Sequence, residues 1–456
     1  MKYEAIIIGA GQAAKPLAYA LADRGLKVVF LERAYLGGSC INTGCTPTKT
    51  MVASAQVAYY ARNAARWGVR ASDVGVDLPA IVARKKKVVE SFRTAIQKRV
   101  DKTPNITYVH KHARLTGPHS VEADGETFES DKIFIDTGTH ANIPKITGID
   151  SVPFLTNESI IELQALPEHL LVLGGGYIGL EFAQMFRRFG SRVTIVHRGE
   201  RILPNEDADI IESLQNVLRA EGIEFQFNAS TTKVSGAAGD IELAIANKQG
   251  MQSLRGSHLL VATGRKPNTD DLGLDKAGVT TDERGYIKVN ERLETNVQGI
   301  WALGDLNGGP AFTHISYHDY QIVYGNVYEG KNLSTRNRYL PYSLFTDPQL
   351  GRVGITESQA RASGEKFKIG RFPMSSVSRA IERDETAGLM KIIVDGENDK
   401  ILGAAILSSE GGELVQILGA VMLAEAPYTL LKGAVFIHPT LAEGFYGLME
   451  SVKPAN

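Results

Sequence analysis

An α/β chain is predicted, built on two βαβ units that each turn through glycines and closed by a third region of mixed strands and helices. Three observations carry this reading. A short apolar run, Tyr3 to Ile8, ends in Gly9-Ala10-Gly11, and a helical pattern through Leu17, Ala18, Leu21 and Ala22 leads to a second strand, Lys27 to Leu31, closed by Glu32. The same order returns in Leu170 to Leu173, in Gly174-Gly175-Gly176-Tyr177-Ile178-Gly179, in a helix through Leu180, Phe182 and Phe186, and in a strand from Arg192 to Val196. From about Asn337 the glycine turns give way to strands Lys391 to Val394 and Ile401 to Leu407, with a helix around Val415 to Leu423.

Size and composition agree. A chain of 456 residues has room for three domains at roughly 150 residues each. Hydrophobic residues make up 43% and charged residues 22%, which excludes wholesale disorder and a coiled coil. Fifty basic residues against 51 acidic ones give a net charge of -1, so neither nucleic acid nor an anionic membrane is expected as partner. No apolar run approaches the ~18 residues that span a bilayer. The apolar start of the chain is broken by Gly9 and Gly11 and shows no small-residue cleavage site, so a cytoplasmic protein is expected.

Between the two units, Thr50 to Asp101 reads as helical, and Arg84-Lys85-Lys86-Lys87 within it reads as a solvated face. Two apolar strands end in Thr-Gly: Ile133 to Gly138, with Thr137, and Leu259 to Gly264. A third, Ile300 to Leu303, ends in Gly304-Asp305.

The glycine turns point to dinucleotides. Gly9 and Gly11 allow a tight turn that brings backbone close to a pyrophosphate at the positive end of the helix, and Ala14 in the third position still permits close helix-strand packing. Glu32 is placed to accept hydrogen bonds from a ribose 2′-hydroxyl. The second unit has Gly174, Gly176 and Gly179, and its strand ends in His197-Arg198, with Arg201 close behind and no carboxylate. Basic side chains there suit a 2′-phosphate, so NADPH is expected over NADH; the alternative is that they are ordinary exposed loop residues.

Gly37-Gly38-Ser39-Cys40-Ile41-Asn42-Thr43-Gly44-Cys45-Thr46-Pro47-Thr48-Lys49 contains both cysteines of the chain. A thiol pair at this spacing can close a small disulfide ring, and helix N-terminal amides favour a thiolate. Two cysteines supply half of a tetrahedral zinc shell, so no metal is expected. Lys49, one helical turn past Cys45, can project from the same face.

These motifs, in order and over essentially the whole length, resemble the pyridine nucleotide-disulfide oxidoreductases, the flavoproteins that include dihydrolipoamide dehydrogenase, glutathione reductase and mercuric reductase. The mercuric-reductase-like branch, which also holds a reactive-chlorine-resistance flavoenzyme, is the most similar. The resemblance implies two Rossmann-like domains, for FAD over residues 1–150 and 270–336 and for NAD(P)H over 151–269, and an α+β dimerisation domain over 337–456. FAD would be held by Gly9, Gly11, Ala14, Glu32, Gly38, Ser39, Thr137, Gly138, Gly304 and Asp305. NAD(P)H would be held by Gly174, Gly176, Tyr177, Gly179, His197, Arg198, Arg201 and Gly264, with Tyr177 gating the nicotinamide pocket. Cys45 would be the charge-transfer thiol, Cys40 the interchange thiol, and Lys49 would pair with Glu181 near the flavin. His438 and Glu443, in His438-Pro439-Thr440-Leu441-Ala442-Glu443, would form an acid-base pair acting on the partner subunit of a homodimer.

The chain departs from its relatives at three places, one of them Thr48-Lys49, where glutathione reductase has a Lys-Lys pair. It has no third cysteine, so the C-terminal cysteine pair of mercuric reductases is missing. His197 stands where the lipoamide enzyme has an acidic residue. The expected activity is hydride transfer from NAD(P)H through FAD to Cys40-Cys45 and on to a small disulfide, oxidant or metal ion. Dihydrolipoamide dehydrogenase, Cu(II), Hg(II) or hypothiocyanous acid reductase, and a non-catalytic flavin-binding redox sensor are the alternatives.

Overall fold

The computed structural model of the chain describes residues 2–455. Its first sheet is parallel and five-stranded, in the spatial order Ile300–Ala302, Ile133–Ile135, Ala5–Ile8 (β1), Val28–Leu31 (β2) and Ile106–Val109. A parallel sheet covered on both faces selects apolar residues at every position, and every residue of β1 and β2 is buried. Successive side chains point to opposite faces. Ala5, Ile7, Val28 and Phe30 pack with helix Ala14–Asp23 (α1), whereas Ile6, Ile8, Val29 and Leu31 pack with Leu115, Val121 and Phe128 from the opposite side. The edge strand Ile300–Ala302 returns to this sheet from beyond the second one.

The second sheet is parallel and four-stranded, in the order Ile223–Gln226, Arg192–Val196, His169–Leu173, His258–Val261. Its glycine turn opens the helix Tyr177–Phe189. The third sheet is antiparallel and six-stranded, with all its strands between Tyr342 and Pro454, and the helix Gly411–Leu423 packs against it.

The stretch Thr50 to Asp101, expected to be helical, is two helices with a break between them. Helices Gly38–Asn42 (α2) and Cys45–Arg62 (α3) precede a 3-10 turn, Ala64–Trp67, and residues 68–77 are not helical before helix Leu78–Lys102 (α4) begins. Gly68 stops the first part in a left-handed conformation, φ 72°. Asp77 starts the second by accepting from Ala80 N at 2.9 Å, with Pro79 in the first turn, where its missing N–H costs nothing.

The basic run is not uniformly solvated either. Arg84, Lys86 and Lys87 are exposed, but Lys85 shares a helix face with Val82 and Val89 and is 1% exposed. Its ammonium pairs with Glu162, which Lys86 also reaches at 3.2 Å. Helical periodicity, which a charge count ignores, puts position 85 on the inner face.

A buried charge cluster joins the second and third sheets. Arg352 Nε donates to Glu206 Oε2 at 2.6 Å and Nη2 to Asp207 Oδ2 at 2.8 Å, and all three side chains are at most 2% exposed. Arg352→Ala leaves two buried carboxylates short of a partner and is expected to lower unfolding free energy by about 3–5 kcal/mol. Arg192→Ala, which removes an exposed pair with Glu224, is expected to cost under about 1 kcal/mol. Urea denaturation followed by circular dichroism checks both.

Candidate active site

The first glycine turn closes on the end of a neighbouring strand. Gly9 has φ 95°, and a Cβ there would lie 2.2 Å from the Asp136 carbonyl oxygen; one on Gly11 would lie 2.5 Å from Asp136 Oδ2. Glu32 is fixed above the turn, its Oε2 accepting from Ala10 N at 2.8 Å and its Oε1 from Ala34 N at 2.7 Å. Gly38 is drawn in against the same turn, where a Cβ would be 3.0 Å from Gly11 Cα, while Ser39 is exposed.

Opposite, Thr137 and Asn268 exchange two hydrogen bonds, at 2.9 and 2.8 Å. Thr139 Oγ1 donates to Asp305 Oδ2 at 3.2 Å, and Arg265 Nε donates to Thr139 Oγ1 at 2.7 Å. Gly304, at φ 73°, donates its N–H to Asp319 Oδ2 at 2.9 Å. Burial holds Asp305 above the usual carboxylate range, with Arg265 opposing. The groove thus has a helix N-terminus, a carboxylate at the end of β2 suited to a ribose, and a second carboxylate, Asp305. A Cβ on Gly138 would meet nothing within 4 Å. This donor set fits a dinucleotide such as FAD.

The second turn repeats the first with one exchange. Gly174 has φ 111°, and Gly179 packs so closely that a Cβ would lie 2.1 Å from the Gly174 carbonyl oxygen; Gly176 and Gly264 are open, with nothing within 4 Å of a Cβ. Gly175 N donates to His197 Nδ1 at 3.2 Å, as Ala10 N does to Glu32. Nδ1 is therefore an acceptor, and burial, followed by the Arg198 charge, lowers the His197 pKa. Of the three basic residues expected here, His197 is a neutral ring turned onto the loop and Arg201 is spent on the Pro204 carbonyl at 3.0 Å. Arg198 is exposed.

Tyr177 begins the following helix. Its ring meets Tyr342 and Phe312 edge-on, with centroids at 5.7 and 6.3 Å, and its hydroxyl donates to Glu206 Oε1 at 3.4 Å. Burial and the Glu206 carboxylate push the phenol up to about 12.

Cys40 lies in α2 and Cys45 opens α3; both are free thiols that hydrogen-bond each other. The bond from Cys40 does most to bring Cys45 down to about 6, against burial. The Thr313 hydroxyl, 3.3 Å from Cys45 Sγ, and the Lys49 ammonium add to this, and Glu181 opposes it. Cys40 moves the other way because it supplies the shared proton, and burial adds to the rise. Asn42 holds the segment, donating to Gly38 O at 2.8 Å and accepting from Arg93 Nη2 at 2.8 Å. Lys49 Nζ pairs with both oxygens of Glu181, at 2.9 and 2.7 Å, and Glu181 Oε1 also accepts from Phe345 N at 2.9 Å.

His438 Nδ1 lies 3.0 and 3.2 Å from the Glu443 oxygens. The N–H of Thr440 does most to hold Glu443 below the usual carboxylate range, and His438 adds to it. The His438 side chain is 71% exposed, and its hydrogen-bond partner is Glu443, not either cysteine of its own chain. Among the described residues, no group of three or more His, Cys, Asp and Glu side chains is placed to hold a metal ion.

Sequence reasoning missed Asp136, Thr313 and Glu206. Asp136 carried a signal, a carboxylate ending the otherwise apolar strand Ile133-Phe134-Ile135. Thr313 and Glu206 carried none, since only the fold brings them to Cys45 and Tyr177.

Residues 3–319 match the family described as pyridine nucleotide-disulphide oxidoreductase, and residues 340–448 match its dimerisation domain. The "Probable pyridine nucleotide-disulfide oxidoreductase RclA" of Escherichia coli K12 is 37% identical, over 99% of this chain and 100% of its own. A mercuric reductase of Lysinibacillus sphaericus is 34% identical, over 91% of this chain and 76% of its own. The solved "Cu(II) complex of HOCl-induced flavoprotein disulfide reductase RclA from Escherichia coli" superposes with a TM-score of 0.90 at 36% identity, covering 99% of this chain and 100% of that one.

A group whose pKa is lowered to about 6 gains its thiolate as pH rises through that value. Iodoacetamide alkylation of Cys45, followed by peptide mass spectrometry, is expected to rise with a midpoint near 6. Cys40→Ala and Lys49→Met are each expected to move the midpoint upward, because each removes a group that favours the anion.

Proposed function

The chain belongs to the pyridine nucleotide-disulphide oxidoreductase family, and we propose that it is an NADPH-dependent flavoprotein reductase that passes electrons through Cys40 and Cys45 to a small acceptor. It is an oxidoreductase, and its family implies FAD and a pyridine nucleotide. The observation that carries the reading is the free Cys40 in α2 and Cys45 at the start of α3, with Cys45 Sγ 3.3 Å from Thr313 Oγ1, beside the Lys49–Glu181 ion pair.

The first glycine turn, Glu32 and Asp305 would hold FAD, which when bound would supply two-electron exchange between the nicotinamide and the Cys40–Cys45 disulfide. The chain's own residues do the rest. His438, from a second copy, takes the proton of Cys40, and Glu443 orients and stabilises the imidazolium. With a disulfide acceptor, the Cys40 thiolate attacks one sulfur, forming a mixed disulfide and expelling a thiolate that receives the proton back from His438. The Cys45 thiolate then attacks Cys40, closing the Cys40–Cys45 disulfide and expelling the second thiolate, which takes a proton from water. The acceptor gains two electrons and the dithiol loses two. The match of residues 340–448 to the dimerisation domain supports a homodimer that would bring His438 to this site.

The acceptor class is a small disulfide, an oxidant or a metal ion. Cu(II) is favoured among metal ions by the likeness to a reductase solved as its Cu(II) complex. With two cysteines in the chain, a cysteine relay for Hg(II) has no second pair to use. Steady-state NADPH oxidation across lipoamide, glutathione disulfide, Cu(II), Hg(II) and hypothiocyanite ranks them. Turnover is expected to fall at least about 100-fold in Cys40→Ser; unchanged turnover would turn the reading toward a redox sensor, and strong lipoamide turnover toward the lipoamide enzyme.

NADPH is favoured because the position held by a carboxylate in the first unit, Glu32, is held by neutral His197 in the second, with the exposed Arg198 beside it. A charge-assisted hydrogen bond to a 2′-phosphate contributes about 1.5–3 kcal/mol. Arg198→Ala is therefore expected to lower kcat/KM for NADPH by roughly 10- to 100-fold, with NADH little changed, as read from initial rates with each nucleotide.

A further inference from the structure

Asp136 is a carboxylate that the chemistry above leaves unused. It follows the strand Ile133–Ile135, is 5% exposed, and lies under the first glycine turn. Its Oδ2 accepts from Ala13 N at 3.1 Å and Ala14 N at 2.8 Å, two amides at the start of α1. Oδ1 takes no hydrogen bond from the described residues, and a Cβ on Gly304 would lie 2.7 Å from it, next to Asp305 in the chain.

The charged groups that face Asp136 come from three elements. Lys15 stands on α1, itself lowered by burial, and Asp305 follows the strand Ile300–Ala302. Asp319, on the helix Thr313–Tyr328, is paired with Arg338 at 2.5 Å. Burial pushes Asp136 up to about 8, with the Ala14 and Ala13 amides opposing and Asp305 and Asp319 adding. An acid in this position has one oxygen committed as acceptor and the other free to carry the proton.

We propose that Asp136 is a dinucleotide-binding residue that acts as a neutral carboxylic acid, keeping Oδ2 on the α1 amides and donating from Oδ1 to an oxygen of the bound dinucleotide. This rests on reading the first unit as the FAD site. An ionised Asp136 would set a second anion against a diphosphate at the positive end of α1, and neither Lys15 nor Arg338 forms an ion pair with it. The neutral acid turns the same oxygen into a donor. Protonation and dinucleotide binding therefore favour each other.

The test starts from flavin-loaded protein, equilibrated by dialysis between about pH 6.5 and 9.5, with released FAD read by its fluorescence. The acid is present below a pKa of about 8 and lost above it, so wild-type affinity is expected to fall by about tenfold per pH unit beyond that point. Asp136→Asn, whose amide can donate and cannot ionise, is expected to show no such fall, and an equal slope in both proteins would overturn the proposal. A second measurement needs no variant: calorimetry of FAD rebinding in buffers of different ionisation enthalpy is expected to count about one proton taken up per flavin near pH 9. A count of zero would overturn the proposal, whereas protein that holds no flavin at any pH would overturn the FAD reading itself.

Discussion

The Lys49–Glu181 ion pair is the contact on which the geometry of the site depends, because it joins three segments that are far apart in the chain. Lys49 stands on α3, Glu181 on the helix that follows the second glycine turn, and Phe345 directly after a strand of the third sheet. Glu181, whose side chain is 8% exposed, accepts two bonds from Lys49 and one from Phe345 N, while the Lys49 ammonium sits 4.7 Å from the Phe345 ring centroid. Removing charge from water costs several kcal/mol per ion unless partners replace the lost hydration. Here the partners come from three places in the chain, so the pair is satisfied when all three segments are seated. The same ammonium also favours the Cys45 thiolate, which links the docking of the segments to the state of the thiols.

The two glycine turns are near copies with opposite chemistry at one position. In each, the amide of the residue after the first glycine donates to the side chain that ends the second strand: Ala10 to Glu32, and Gly175 to His197. The turn needs an acceptor there, and a carboxylate or an imidazole nitrogen serves. What remains differs. Glu32 is a carboxylate with lone pairs left to accept further hydrogen bonds, whereas His197 accepts at Nδ1 and also bonds the Arg201 backbone, which leaves the exposed Arg198 beside it. One structural requirement is met twice, with a carboxylate in the first turn and an imidazole beside an exposed arginine in the second.

Legibility from sequence followed the range of the interaction. The glycine turns were legible because φ of 95° at Gly9 and 111° at Gly174 admits essentially glycine, and the strands were legible because burial on both faces leaves continuous apolar runs. The thiol pair was legible from local spacing. Lys49 and Glu181, 132 residues apart, were paired through family resemblance and not through any local pattern. Residues 68–77 escaped because the helical composition on either side hid a left-handed Gly68 and an Asp77 cap. Lys85 escaped because a charge count ignores the helical periodicity that turns it inward, where Glu162 supplies its partner from a distant turn, and Asp136 because its role as a cap for α1 exists only once the strands are side by side.

On the proposed mechanism, the thiol pair and the histidine together set a requirement that one chain does not meet alone. Cys45 is lowered and Cys40 raised, so near neutral pH the pair holds one proton, and it rests on Cys40. That is the sulfur assigned to attack the acceptor, and an attacking sulfur must first lose its proton. The groups that act on Cys40 within the chain are Cys45, Thr313 and Lys15, and none of them is a free base near neutral pH: the first is already bonded to it, the second is an alcohol, and the third is a cation that can only stabilise the thiolate once formed. His438 is held by Glu443, but its exposed ring touches neither cysteine of its own chain. On the proposed mechanism the electron store and the base therefore belong to different copies, and dimerisation completes the site by supplying the one group that the thiol pair lacks.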